Sequence, residues 1–121
     1  MILAFDLDDC LCKRPHNIEH LGGEKYKYCS PIESMVGIVN DCYGEGHHIK
    51  IYTARGMSTY NGDVDKIYKE LFDLTTNDLK QWGVKYHELI MGKEHYDLLI
   101  DDKVINSLRV KSISDIKDFN K

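Results

Sequence analysis

Twice in this chain a short apolar run stops on carboxylates. Ile2-Leu3-Ala4-Phe5 leads into Asp6-Leu7-Asp8-Asp9, and Leu98-Leu99-Ile100 leads into Asp101-Asp102. An apolar run of this length, bounded by polar residues, is the pattern of a strand buried on both faces, as in a parallel sheet covered by helices. In such a sheet ligands bind beyond the carboxyl ends of the strands. The two acidic clusters are therefore expected on one edge. A third strand is predicted over His48–Tyr52, where Ile49, Ile51 and Thr53 alternate with less apolar neighbours, and it brings a hydroxyl to the same edge.

Helical patterns fall between these runs. Ile32, Met35, Val36, Val39 and Tyr43 recur at helical spacing, and Gly44 and Gly46 end the segment. Ser30, Pro31 and Glu33 have the spacing of a capping box. Val64, Ile67, Tyr68, Leu71 and Phe72 share one face of a helix over Asp63–Phe72. A second helix is predicted over Thr75–Trp82, with Thr75 and Asp78 as its capping box and Gly83 as its stop. Tyr86–Met91 and Asp97–Ile100 are read as further strands. A short helix near Val104–Leu108, a strand near Val110–Ile113 and a last helical turn complete the chain. Strands alternating with helices imply an α/β fold with a parallel sheet flanked by helices. Residues 13–30 are polar and irregular, with Pro15 and Gly22-Gly23, and read as a flap; loops of that length are often functional.

Composition narrows the function classes. A chain of 121 residues fits one domain, 1–121, and 42% hydrophobic with 30% charged residues is a globular profile. A net charge of −4 disfavours wrapping of nucleic acid. No apolar run approaches the roughly 18 residues of a membrane span, and acidic residues from Asp6 onward exclude a signal peptide. The expected location is therefore the cytoplasm, with Cys10, Cys12, Cys29 and Cys42 as reduced thiols. A zinc site from Cys10, Cys12 and Cys29 with His16 or His20 matches no zinc spacing well.

Several carboxylates gathered at one sheet edge repel one another by roughly 4 kcal/mol per pair at 4 Å and an effective dielectric near 20. A hard divalent cation would neutralise them, and Mg²⁺, which also binds phosphate oxygens, suits oxygen donors best. The bland alternative is that these are solvated loop acids that never meet. Asp6 and Asp8 flank Leu7, so in an extended strand they point the same way. A carboxylate at Asp6 can attack phosphorus, and an acid at Asp8 can protonate the leaving alcohol and then activate water. Thr53 and Lys93 are candidates to hold the transferring phosphoryl group.

At these residues the chain resembles the haloacid dehalogenase superfamily of phosphatases. Ile2–Asp8 looks like its first motif, Ile49-Lys50-Ile51-Tyr52-Thr53 its second, Lys93 its third and Leu98–Asp102 its fourth, in the family's order. The resemblance implies a Rossmann-like parallel sheet and a Mg²⁺-dependent phosphatase. Asp6 would be nucleophile and metal ligand, and Asp8 acid–base residue and backbone metal ligand. Asp101 would be a direct metal ligand, and Asp102 either a partner behind the ligands or a water-mediated one. The family often has Gly-Thr where this chain has Asp9-Cys10, which puts in question the hydroxyl contact that steadies the loop. The stretches Tyr52–Gly56, Tyr60–Asp63 and Trp82–Tyr86 are similar to small capsular-polysaccharide-biosynthesis phosphatases, implying a sugar phosphate or a small phosphorylated alcohol as substrate.

No stretch is long enough for a separate cap domain. The flap, with Lys13, Arg14 and His16, and Arg55 are then the nearest substrate contacts, with ordinary surface charge as their alternative. Arg14 and Arg55 are carried as the substrate-binding pair. Lys103 competes with Lys93, and the family's spacing favours Lys93. The other histidines, His95 among them, are read as surface or packing residues. Two rivals remain: a phosphoacceptor receiver domain, whose acceptor Asp ends a mid-chain strand, and a catalytically silent binder of phosphorylated ligands. A homo-oligomer, with a lid borrowed from another subunit, is compatible with the sequence.

Overall fold

Ile2–Phe5 forms strand β1 in the computed structural model, which describes residues 1–120. The rest of the main sheet is β4 (His48–Thr53) and β5 (Glu88–Met91), both parallel to it, in the order β1-β4-β5. The register sets Phe5 beside Ile51 and Thr53 beside Met91. The residues just past each strand, Asp6, Ala54 and Gly92, therefore meet at one end of the sheet. Helix α1 (Glu33–Gly44) packs on β4, and α2 (Val64–Gln81) packs on β5. A short helix, α3 (Ile113–Lys117), lies against α1. This is a small α/β fold: a three-stranded parallel sheet flanked by helices.

Two apolar clusters hold it together. Leu7, Val39, Ile49, Ile51 and Leu79 are fully buried in the larger one. Tyr26, Ile67, Leu71 and Met91 form the smaller, joining the flap to α2 and β5. No helix among the described residues is long and apolar enough to cross a membrane.

The structure departs from the sequence reading at six places. Ser30 does not cap α1. Ser30–Pro31 is strand β3, paired antiparallel with β2 (Cys12–Lys13), and Ile32 holds the N-cap position without a side-chain cap. The backbone there is used to close the flap at its base, with Ile32 N donating to the Leu11 carbonyl at 2.7 Å. The flap itself is more ordered than an irregular loop, since Glu19–Tyr28 winds as 3₁₀ turns broken at Gly22.

The helices predicted over 63–72 and 75–82 are one helix. Asp63 caps it, its carboxylate accepting from Lys66 N, and the Thr75 hydroxyl donates back to the Leu71 carbonyl at 2.7 Å instead of starting a new helix. A threonine satisfied in this way sits inside a helix as readily as at its end. Gly83, at φ 72, follows the last turn as expected.

Asp97–Ile100 forms no strand, and neither does Val110–Ile113. Leu98 and Ile100 are 77% and 89% exposed. An apolar run becomes a strand only where a neighbour's backbone pairs with it, and β1 pairs on one side alone, with β4. The stretch expected as a helix near Val104–Leu108 has only a 3₁₀ turn, Ser107–Arg109, before Val110 returns to the core.

This arrangement predicts a contrast between two isoleucines. Ile51→Ala should cost about 2–5 kcal/mol in urea denaturation, as for other fully buried isoleucines. Ile100→Ala should stay within about 0.5 kcal/mol of the parent. A loss of several kcal/mol at Ile100 would mean that it is packed in a fourth strand.

Candidate active site

Beyond β1 the chain turns tightly. The Leu7 carbonyl accepts from the backbone N–H groups of Cys10, Leu11 and Cys12 at 2.8–3.2 Å. Asp9 sits at φ 65, a left-handed conformation that Asp tolerates better than most residues. With Leu7 and Leu11 fully buried as anchors, the turn holds Asp6 and Asp8 at the sheet end. The left-handed position in this turn, one that glycine adopts most easily, is thus served by Asp9.

Asp6, Asp8, Arg14, Thr53, Arg55 and Lys93 all line one pocket of about 400 Å³. Asp101 and Asp102 do not line it. Asp101 is fully exposed and accepts from the N–H groups of Asp102 and Lys103; a side-chain hydrogen bond with Asp102, and then these two N–H groups, lower its pKa. Lys103, the alternative to Lys93, is also outside the lining, as are Lys13 and His16. His95, expected as a surface or packing residue, is among the lining residues.

The Asp6 side chain is 44% exposed, with the Lys93 ammonium 3.7 Å from Oδ2 and Leu7 N donating to Oδ1 at 2.8 Å. Burial raises its pKa above the usual 3.8, and the Leu7 N–H and the Lys93 charge only partly offset this. Lys93 is itself raised: burial opposes its charge, but Tyr96 and Asp6 outweigh that. Its backbone N–H donates to the Thr53 carbonyl at 3.1 Å, tying the segment after β5 to the end of β4. Thr53 Oγ1 accepts from Arg55 N at 3.0 Å, which leaves the hydroxyl proton free to be donated.

Asp8 is gripped by Arg55. Nε donates to Oδ2 at 3.1 Å and Nη2 to Oδ1 at 2.9 Å, a bidentate pair. The Arg55 side chain is fully buried and also pairs with Asp78 at 3.4 Å, reaches the Thr75 hydroxyl at 3.3 Å and lies 4.6 Å from the centre of the Tyr26 ring. Desolvation works against its charge, yet the hydrogen bond and charge of Asp8 prevail and hold its pKa above the ordinary arginine value. Arg55 therefore meets the pocket with its guanidinium already engaged by protein. Gly56 follows at φ 85, where a Cβ would come 2.6 Å from Leu71 Cδ1, and its N–H donates to the Tyr26 hydroxyl. That close approach lets the turn after β4 lie on α2.

Arg14 and Lys25 both reach Glu19, at 3.5 and 2.6 Å, on the flap side of the pocket. Sequence reasoning missed Lys25, Tyr26, Thr75 and Asp78. Thr75 and Asp78 carried a signal, since they continue the inward stripe of Leu71 and Leu79, but they resembled a helix start.

Hard oxygen donors suited to Mg²⁺ are present in the pocket at Asp6, and a Mg²⁺ site needs only one or two carboxylates besides waters and substrate oxygens. Among the described residues, the one tight group of metal-binding types is Asp8, Cys12 and Cys29, whose ligand atoms lie within 4.8 Å of one another. Arg55 Nη2 stands 2.9 Å from Asp8, 3.7 Å from Cys12 Sγ and 3.5 Å from Cys29 Sγ. The group already encloses a cation, its own arginine.

No family model and no curated protein matches the chain. A crystal structure of a target protein from Vibrio cholerae is similar to it, with a TM-score of 0.82, 26% identity, and 98% of this chain and 96% of that one covered.

Two outcomes follow from the geometry. Arg55→Ala should destabilise the chain by about 3–5 kcal/mol in chemical denaturation, because Asp8 and Asp78 lose their buried partner, and Arg55→Lys should not restore it. In the metal-free protein the Asp6 carboxyl, followed by carbon NMR, should titrate above 3.8, and Lys93→Ala should move it further up, since an ammonium that stabilises the anion is gone.

Proposed function

We propose that the chain is a Mg²⁺-dependent phosphomonoester hydrolase that passes the phosphoryl group through Asp6. The observation that carries this reading is the pocket shared by Asp6, Asp8, Thr53 and Lys93, brought from three separate stretches of chain. A half-exposed carboxylate with a lysine 3.7 Å away is a nucleophile beside a charge that draws phosphate oxygens. The Thr53 hydroxyl is placed to donate to one of those oxygens. Bound at Asp6, Mg²⁺ would neutralise charge on the incoming phosphate.

In this reading Asp6 attacks phosphorus as the alcohol leaves, with Asp8 giving the alcohol its proton. Asp8 then takes a proton from the water that hydrolyses the aspartyl-phosphate. Donation requires one Asp8 oxygen to face the pocket while Arg55 grips both, so the fork opens at one oxygen when substrate is in place. Arg55 is a positioning residue here, and Arg14 is the flap's substrate contact. Asp101 and Asp102 lie outside the lining and are given no step. The fuller version of the reading is a capless, Rossmann-like member of the haloacid dehalogenase superfamily. It would act in the cytoplasm on a sugar phosphate or small phosphorylated alcohol in polysaccharide biosynthesis, with the 13–30 flap as its cover.

The grip of Arg55 on Asp8 favours a second reading, a binder of phosphorylated ligands without turnover. Phosphate release from p-nitrophenyl phosphate and a panel of sugar phosphates, with Mg²⁺ and after its removal by chelation, separates the two. Turnover should require the metal, and Asp6→Asn should abolish it. Asp8→Asn should lower kcat by about 10²–10⁴-fold while substrate still binds. Ligand binding with no phosphate release from any substrate would leave the binder.

A further inference from the structure

Two thiols touch Asp8, and the proposed reaction uses neither. Cys12 opens β2 and is fully buried; Cys29, half-buried, lies just before β3. The register pairs Cys12 with Pro31 and Lys13 with Ser30. By alternation Cys29 shares the face of Pro31 and is the diagonal neighbour of Cys12. The two sulfurs lie within 4.8 Å of each other and of an Asp8 oxygen. Both S–H groups donate to Asp8 Oδ1, Cys12 at 3.4 Å and Cys29 at 3.8 Å. Cys10 and Cys42 are not part of this group. A metal would have to displace the Arg55 guanidinium from among the same three groups, so a bond between the sulfurs is the chemistry that the arrangement leaves open.

We infer that Cys12 and Cys29 are a modification site at which a low-molecular-weight disulfide is reduced and a reversible protein disulfide is formed. Cys29, the less buried of the two residues, attacks the small disulfide; its S–S bond breaks and one small thiol leaves with the Cys29 proton. Cys12 then attacks the Cys29 sulfur of the mixed disulfide, and the second small thiol leaves with the Cys12 proton. Two electrons pass from the protein thiols to the one small disulfide, and no other reactant is needed. The new bond clamps the flap at its base, where β2 meets β3, and removes both S–H donors from Asp8. Its effect on turnover rests on the function proposed above; the bond itself does not.

The test is to incubate the full chain with oxidised glutathione, block the remaining thiols and map the peptides. The expected product is a Cys12–Cys29 link, with an intact mass lower by two hydrogens, a higher Tm, slower proteolysis of the 14–28 flap and full reversal by dithiothreitol. Cys12→Ser should stop at a glutathione adduct on Cys29, and Cys29→Ser should give no link. A wild-type chain that accumulates the Cys29 adduct without linking, or that links through Cys10, overturns the inference. Release of phosphate from p-nitrophenyl phosphate, read on the same samples, should fall on oxidation and return on reduction. An unchanged rate in the linked protein overturns the coupling to Asp8. Absence of turnover in both states counts against the phosphatase reading, while the peptide map still decides the disulfide.

Discussion

A fully buried guanidinium is the constraint around which this molecule is arranged. Taking the charge of Arg55 out of water costs several kcal/mol unless paired carboxylates and hydrogen bonds surround it. Its partners come from three separate parts of the chain: Asp8 from the turn after β1, Thr75 and Asp78 from α2, and Tyr26 from the flap. Asp78 bears part of that cost, since burial raises its pKa while Arg55 pulls it back. The same contact network that orders the core thus also sets the orientation of Asp8.

Register explains why the chemistry lies where it does. Parallel pairing of β1 with β4 and of β4 with β5 brings three strand ends level. Asp6, Thr53 and Lys93 each follow or end a strand, so strand pairing brings them to one end of the sheet, where the Lys93 ammonium meets Asp6. The Lys93 N–H on the Thr53 carbonyl extends that pairing by one step. Asp8, on the turn, has no such backbone support on both sides and depends on its side-chain partners.

Much of this was legible in the residues themselves. Ile2–Phe5 and His48–Tyr52 announced themselves as strands by apolar pattern, Asp6 and Thr53 stood out because each lies at the end of such a run, and Lys93 stood out by its place ahead of the second acidic run. Pattern failed where a residue's role depends on a partner far along the chain. Thr75 and Asp78 have the spacing of a helix cap, and only the arrival of Arg55 distinguishes a buried ion-pair site from a cap. Ser30-Pro31 looks like a helix entry until Cys12-Lys13 pairs with it. Leu98–Ile100 has strand composition, yet composition cannot supply the neighbouring backbone that would make it one.

The amino-acid sequence alone determined the class of fold and the strands that carry Asp6 and Thr53, because these follow from local periodicity and covalent spacing. Tertiary structure decided that Arg55 faces inward, that Asp8 is held by it, that two cysteines meet at that carboxylate, and that Asp101 and Asp102 stay in solvent. Each of those outcomes is a balance between desolvation and pairing over long sequence separations, and no local pattern encodes which partner arrives.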